Sequence, residues 1–157
     1  MCEKYEEGPL HLSIQKGTVL HVASFYEKTD LVLKLLDQIR TTNKITGLTV
    51  RNDIGNTVLH DAAASDLMVG AAREMLSLAP ELLVSRNNSG ETAVFRAVRF
   101  GQIKMFDFLE EKIEERRGEM EEDEWKRICW KEDGTTVLHI AVLFEHFGQL
   151  SLFPHLN

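Results

Sequence analysis

Apolar residues recur along this chain at helical spacing, in paired segments. "TVLHVASF" at 18–25 precedes "DLVLKLLDQI" at 30–39, where Asp30 is placed to cap and Leu31, Leu35, Leu36 and Ile39 share one helix face. "TVLHDAA" at 57–63 precedes "DLMVGAAREMLSLA" at 66–79, opened by Asp66 and ended by Pro80. "TAVFRAV" at 92–98 precedes "QIKMFDFLEEKIEERR" at 102–117, with Ile103, Phe106, Leu109 and Ile113 on a stripe. "TVLHIAV" at 136–142 opens a fourth unit. No run alternates apolar and polar residues as a half-buried strand does, so the pattern predicts an all-α chain of repeated helix–turn–helix units.

The four units align on Thr18, Thr57, Thr92 and Thr136, at steps of 39, 35 and 44 residues. A threonine just ahead of an apolar helix is an N-cap, its hydroxyl accepting from a backbone N–H that has no helical partner. Gly55, Gly90 and Gly134 stand two residues before their threonines and permit a tight turn, while in the first unit the glycine is displaced to Gly17. The turns "RNDIGN", "RNNSGE" and "WKEDGT" are predicted to project as fingers, with Asp53, Asn88 and Asp133 as polar turn formers. Val19, Val58, Ala93 and Val137 occupy the first helical position, where a proline would preset φ, so each unit is expected to be less stable than one carrying that proline.

This phrase resembles the ankyrin repeat, with its period of about 33 residues and its T-P-L-H-x-A signature. Four copies in register span roughly residues 9–157, with repeats at about 9–50, 51–86, 87–129 and 130–157 in one domain, 1–157. The resemblance implies an ankyrin solenoid of about four repeats, the last one cut short. It implies a non-catalytic protein–protein interaction module, needing no cofactor, that binds another protein. "EMLSLAPELLVSRNNSGETAVFRAVRFGQIKMFDFL" and "DGTTVLHIAVLFEHFG" are more specific: they look like plant ankyrin proteins that carry a C-terminal membrane domain of the PGG type. That likeness implies defence or stress signalling and a cytoplasmic array, at the inner face of the plasma membrane through its partners. It leaves open the alternative of a cytosolic regulatory fragment of a multi-span membrane protein.

Charge and cysteine content narrow the picture. The formal net charge of the 157 residues is −7, and most of it sits in an acidic insertion at 110–124, with nine acids and three bases. This segment reads as a solvated helix face or loose insert that Gly118 breaks, or as a dock for a basic partner. Such acidity disfavours non-specific nucleic-acid binding. No run approaches the ~20 apolar residues of a membrane-spanning helix. Cys2 and Cys129 form neither a disulfide framework nor a metal spacing.

His21, His60 and His139 occupy equivalent positions, which in stacked helices lie about 8–10 Å apart and cannot converge on one metal ion. They are expected to hydrogen-bond within the turn network of their own repeats. Cys129, in "EWKRICWKEDG", lacks an evident base and reads as part of an apolar patch tucking the insertion back onto the array.

The partner-binding candidates are the exposed positions that the ankyrin resemblance assigns to the first helix of each repeat. They are Phe25, Tyr26, Asp61, Arg96, Arg99 and Phe100, with Arg96 and Arg99 pairing partner carboxylates and the aromatic rings as anchors. Phe25, Phe100 and Phe144 have a second reading, packing between helices. Phe144, Phe147, Leu150, Leu152 and Phe153 lack an evident cover, which opens self-association through the last repeat.

Overall fold

The computed structural model describes residues 17–144. They form helices α1 (Val19–Phe25), α2 (Thr29–Thr42), α3 (Val58–Ala62), α4 (Val69–Leu78), α5 (Ala93–Arg99), α6 (Ile103–Arg116), α7 (Glu122–Cys129) and α8 (Val137–Leu143). Three 3-10 turns lie between them, at Ile45–Leu48, Asp66–Met68 and Pro80–Val84. Among the described residues no strand forms, and Trp130 and Thr136 make an isolated bridge. Helices α1, α3, α5 and α8 stack side by side as one layer, and α2, α4 and α6 stack behind them. The fold is an all-α ankyrin solenoid.

Three of the four first helices start the same way. Thr18, Thr57 and Thr136 have extended backbones ahead of their helices, and each forms a reciprocal capping box with the histidine three residues on. The threonine N–H donates to the imidazole Nδ1 at 3.2, 3.1 and 3.1 Å. Phe95 stands where the third histidine would be, and there the Thr92 hydroxyl donates to the Ile128 carbonyl at 3.3 Å.

Two of these histidines also join one repeat to the next. His21 Nε2 is 3.0 Å from the Asn56 carbonyl oxygen, and His60 Nε2 is 2.9 Å from that of Glu91. Because Nδ1 accepts a backbone N–H, the ring proton sits on Nε2 and is donated across the repeat boundary. The expectation of bonds confined to each repeat is corrected here: the rings tie successive repeats together.

The fingers repeat as well. Asn52 Oδ1 accepts from the N–H groups of Ile54 and Asn56, and Asn87 Oδ1 from those of Ser89 and Glu91. Asn87 Nδ2 donates to Asn56 Oδ1 at 2.9 Å, linking neighbouring fingers through buried side chains. Arg51 donates to the Arg86 carbonyl, and Arg86 in turn to the carbonyls of Trp130 and Arg127. Gly55 has φ +77°, and an added Cβ would lie 2.7 Å from the Asn88 backbone nitrogen, so no other residue fits without displacing the next finger.

The unequal steps between threonines have a structural cause. A short helical piece precedes each finger: the 3-10 turns Ile45–Leu48 and Pro80–Val84, and then α7. Leu48, Leu83 and Ile128 stand three residues before Arg51, Arg86 and Lys131, and all three are fully buried. The acidic insertion is thus an elongated form of this third piece. Its first half extends α6 to Arg116, and its second half builds α7, which packs on the Pro80–Val84 turn and on α5. Acidic side chains face water while Ile128 and Cys129 enter the core, so the loose insert is replaced by an amphipathic helix.

Three further expectations are corrected. Helix α2 begins at Thr29 with Lys28 at the N-cap position, so Asp30 lies in the first turn, where its charge favours the helix N-terminus. Asp66 opens a 3-10 turn capped by Ser65, and its carboxylate accepts from the Met105 N–H of the next repeat at 2.8 Å. Leu31 and Ile103 are exposed, while Val32 and Met105 take the buried positions.

Candidate interaction surface

The row of first helices presents its C-terminal ends side by side. Tyr26, Ser65, Phe100 and Phe144 each stand eight residues after their threonine, at the same register of the stack. Tyr26 and Phe100 are each 46% exposed and Phe144 is 40% exposed. Phe25 is half-buried, with its ring edge-on to Tyr26 at 5.5 Å between centroids. In the second repeat Ala64 and Ser65 occupy the corresponding places, so aromatic ridges flank a low floor. Large exposed rings beside small residues form a relief into which a partner's side chains can insert.

Two candidates lie inside the array, and the structure corrects their placement. Asp61 is 1% exposed, and its carboxylate accepts from Asn56 Nδ2 at 2.8 Å and from Asn52 Nδ2 at 3.4 Å. Arg96 is 9% exposed; its Nε donates to the His60 carbonyl at 3.4 Å, and its guanidinium stacks 5.0 Å from the Phe100 ring centroid. Burial pulls the Arg96 pKa below its ordinary value, while the carboxylates of Asp61 and Glu91 oppose that pull. These groups support the surface from below.

Arg99 is half-buried at the rim. It forms an ion pair with the buried Glu91 carboxylate and lies 5.6 Å from the Phe144 ring centroid. Glu91 was not foreseen from sequence, although its position directly before Thr92 puts it at a helix entrance.

Burial holds His60 and Cys129 in their uncharged forms. Burial, the largest influence, lowers the His60 pKa to about 4, opposed by its bond to Glu91 and reinforced by Arg96 and Arg51. Burial likewise pushes the Cys129 thiol up to about 12, which keeps it protonated. Among the described residues no group of three His, Cys, Asp or Glu side chains is placed to hold a metal ion, and no helix is long and apolar enough to cross a membrane.

A family model described as ankyrin repeats, in three copies, matches residues 20–117. The match covers most of the chain and falls on the stacked helices, so the chain belongs to the ankyrin-repeat family. Ankyrin repeats form a non-catalytic protein–protein interaction module. No curated protein matches the chain.

Proposed function

We propose that this protein captures a partner protein on the row formed by the C-terminal ends of its first helices. Phe25, Tyr26 and Phe100 serve as apolar anchors, and Arg99 contacts a partner carboxylate at the rim. The observation that carries this reading is the exposure of Tyr26, Phe100 and Phe144 at one register, with small residues between them. The whole chain acts as one array, with repeats at about 9–50, 51–86, 87–129 and 130–157.

Tyr26→Ala combined with Phe100→Ala tests it, because both side chains are exposed and their truncation leaves the core intact. Quantitative mass spectrometry of captured proteins is expected to show at least one partner lost with this pair and retained with Glu111→Lys on α6. A partner list unchanged by the pair refutes the site. The double reversal of Arg96 and Arg99 is a poor test, since Arg96 is buried and its change would disturb the fold.

The finer setting is defence or stress signalling in a plant, supported by the phrases at 74–109 and 133–148 that look like PGG-type ankyrin proteins. The same likeness supports a second reading, in which the array is the cytosolic regulatory part of a multi-span membrane protein at the plasma membrane. Sequencing the 3′ end of the transcript separates the two: a longer reading frame encoding apolar spans favours the second. Self-association through the last repeat is supported by the exposed Val142, Leu143 and Phe144. Phe147, Leu150, Leu152 and Phe153 lie outside the described residues, as does Cys2. A size-exclusion mass of one chain refutes self-association.

A further inference from the structure

On the opposite side of the molecule from the aromatic row, α4, the Pro80–Val84 turn and α6 enclose a cleft of about 270 Å³. Its floor is apolar. Leu76 and Leu83 are buried and Pro80 closes one side. Its rim reverses the character of the chain: in a protein of net charge −7, Arg73, Lys112 and Arg116 line the cleft with Glu115 as the lining carboxylate.

These three cations are not equivalent. Lys112 Nζ is 2.6 Å from Glu115, a neighbour on its own helix. Arg116 donates to the Pro80 carbonyl at 3.2 Å and lies 3.5 Å from Glu124. Arg73 has no hydrogen bond or ion pair among the described residues; its guanidinium rests 4.8 Å from the centroid of the Phe108 ring. Stacking on an aromatic face fixes a guanidinium's position and leaves its N–H edge free to donate. The cleft therefore combines a positioned cation with no ion pair among the described residues, a second guanidinium held on the Pro80 carbonyl, and an apolar floor.

We propose that this cleft binds a small amphipathic monocarboxylate. The aliphatic chain lies against Leu76, Pro80 and Leu83, and the carboxylate accepts from the Arg73 guanidinium, whose planar fork matches two carboxylate oxygens. Arg116, held on the Pro80 carbonyl, lines the cleft beside the apolar floor. The volume of about 270 Å³ accommodates a chain of several carbons. A head without charge forgoes the Arg73 ion pair. This site is independent of the aromatic row and of any partner bound there.

The test uses the full chain, octanoate as probe, and nitrogen-15 amide spectra. Titration to about 10 mM, where weak sites still saturate, is expected to move the amides of Leu76, Ser77, Leu83 and Lys112 along one saturable curve. Octanol and acetate are expected to leave those amides in place, since each carries one half of the recognised chemistry. Arg73→Gln changes an exposed side chain and is expected to raise the octanoate Kd about threefold to fivefold with an unchanged helical circular dichroism spectrum. Glu115→Gln removes the competing carboxylate and is expected to tighten binding. The proposal is overturned by the absence of saturable shifts, by octanol acting as well as octanoate, or by an Arg73→Gln protein that binds octanoate like the wild type.

Discussion

Acidification should weaken this fold through His60 well before the carboxylates titrate. The ring is fully buried between Thr57 and Glu91 of the next repeat, and burial holds its pKa near 4 against an ordinary 6.5. The unfolded chain binds the proton at about 6.5 and the folded chain does not, so the stabilisation is complete above that value. It is lost as pH falls through the window from 6.5 to about 4. The full gap corresponds to roughly 3 kcal/mol, and about 2 kcal/mol of it is gone at pH 5. Urea denaturation of wild type and of His60→Gln at pH 8 and pH 5 isolates the effect, because carboxylate contributions common to both proteins cancel. His60→Gln should be less stable at pH 8, yet wild type should lose about 2 kcal/mol more than the variant between the two pH values. Parallel losses in both proteins would show that His60 titrates normally and refute the buried bridge.

Other parts of the fold yield separate expectations. Gly55→Ala should cost at least about 1 kcal/mol more than Gly134→Ala by thermal denaturation: both positions have positive φ, but only the first drives a Cβ against Asn88. Equal costs would show that the fingers do not meet there. Arg86→Met removes the donors to Arg127 and Trp130, and should cost about 1–3 kcal/mol while speeding amide exchange in α7. An α7 exchange pattern unchanged in that variant would mean the insertion is held by its apolar residues alone. In a Cys2→Ser background, Cys129 should stay silent to a disulfide reagent at pH 8 and react fully in urea, since its thiol is buried with a pKa near 12. Rapid reaction of the folded protein would contradict its placement.

The features legible in the sequence are those set by local chemistry. The threonines with a histidine three residues later, at Thr18, Thr57 and Thr136, and the positive-φ glycines two residues before Thr57, Thr92 and Thr136 shape their own helix entrances, and these recur in the structure. What stayed hidden is decided by residues a repeat or more away. Asp61 and Arg96 read as surface groups, because charged side chains usually are. They are buried because Asn52 and Asn56 reach back to the carboxylate, while Arg96 donates to the His60 carbonyl 36 residues earlier in the chain. The choice between Leu31 and Val32 has the same origin. Both are apolar, and the rotation of α2 against α4 selects Val32 for the core. The third helical piece of each repeat is short and weakly periodic, so the run 110–124 looked like an addition to the array. Its likeness to Ile45–Leu48 and Pro80–Val84 emerges from the common burial of Leu48, Leu83 and Ile128. In the aromatic row, Tyr26 and Phe100 stand at the helix ends, and their relief depends on Ala64 and Ser65 standing between them.

Recurring helix entrances, two of them tied to the next repeat by an imidazole, stack this chain into one array. Nitrogen-15 spectra of the histidine rings test it most directly. The Nε2 protons of His21 and His60 are both expected to exchange slowly, because each is donated to a buried carbonyl. His139 shares the Nδ1 bond to Thr136, yet its ring is exposed, so its Nε2 proton should exchange fast. Rings of His21 and His60 that carry the proton on Nδ1, or that exchange as quickly as His139, would contradict the repeated joint on which the stack depends.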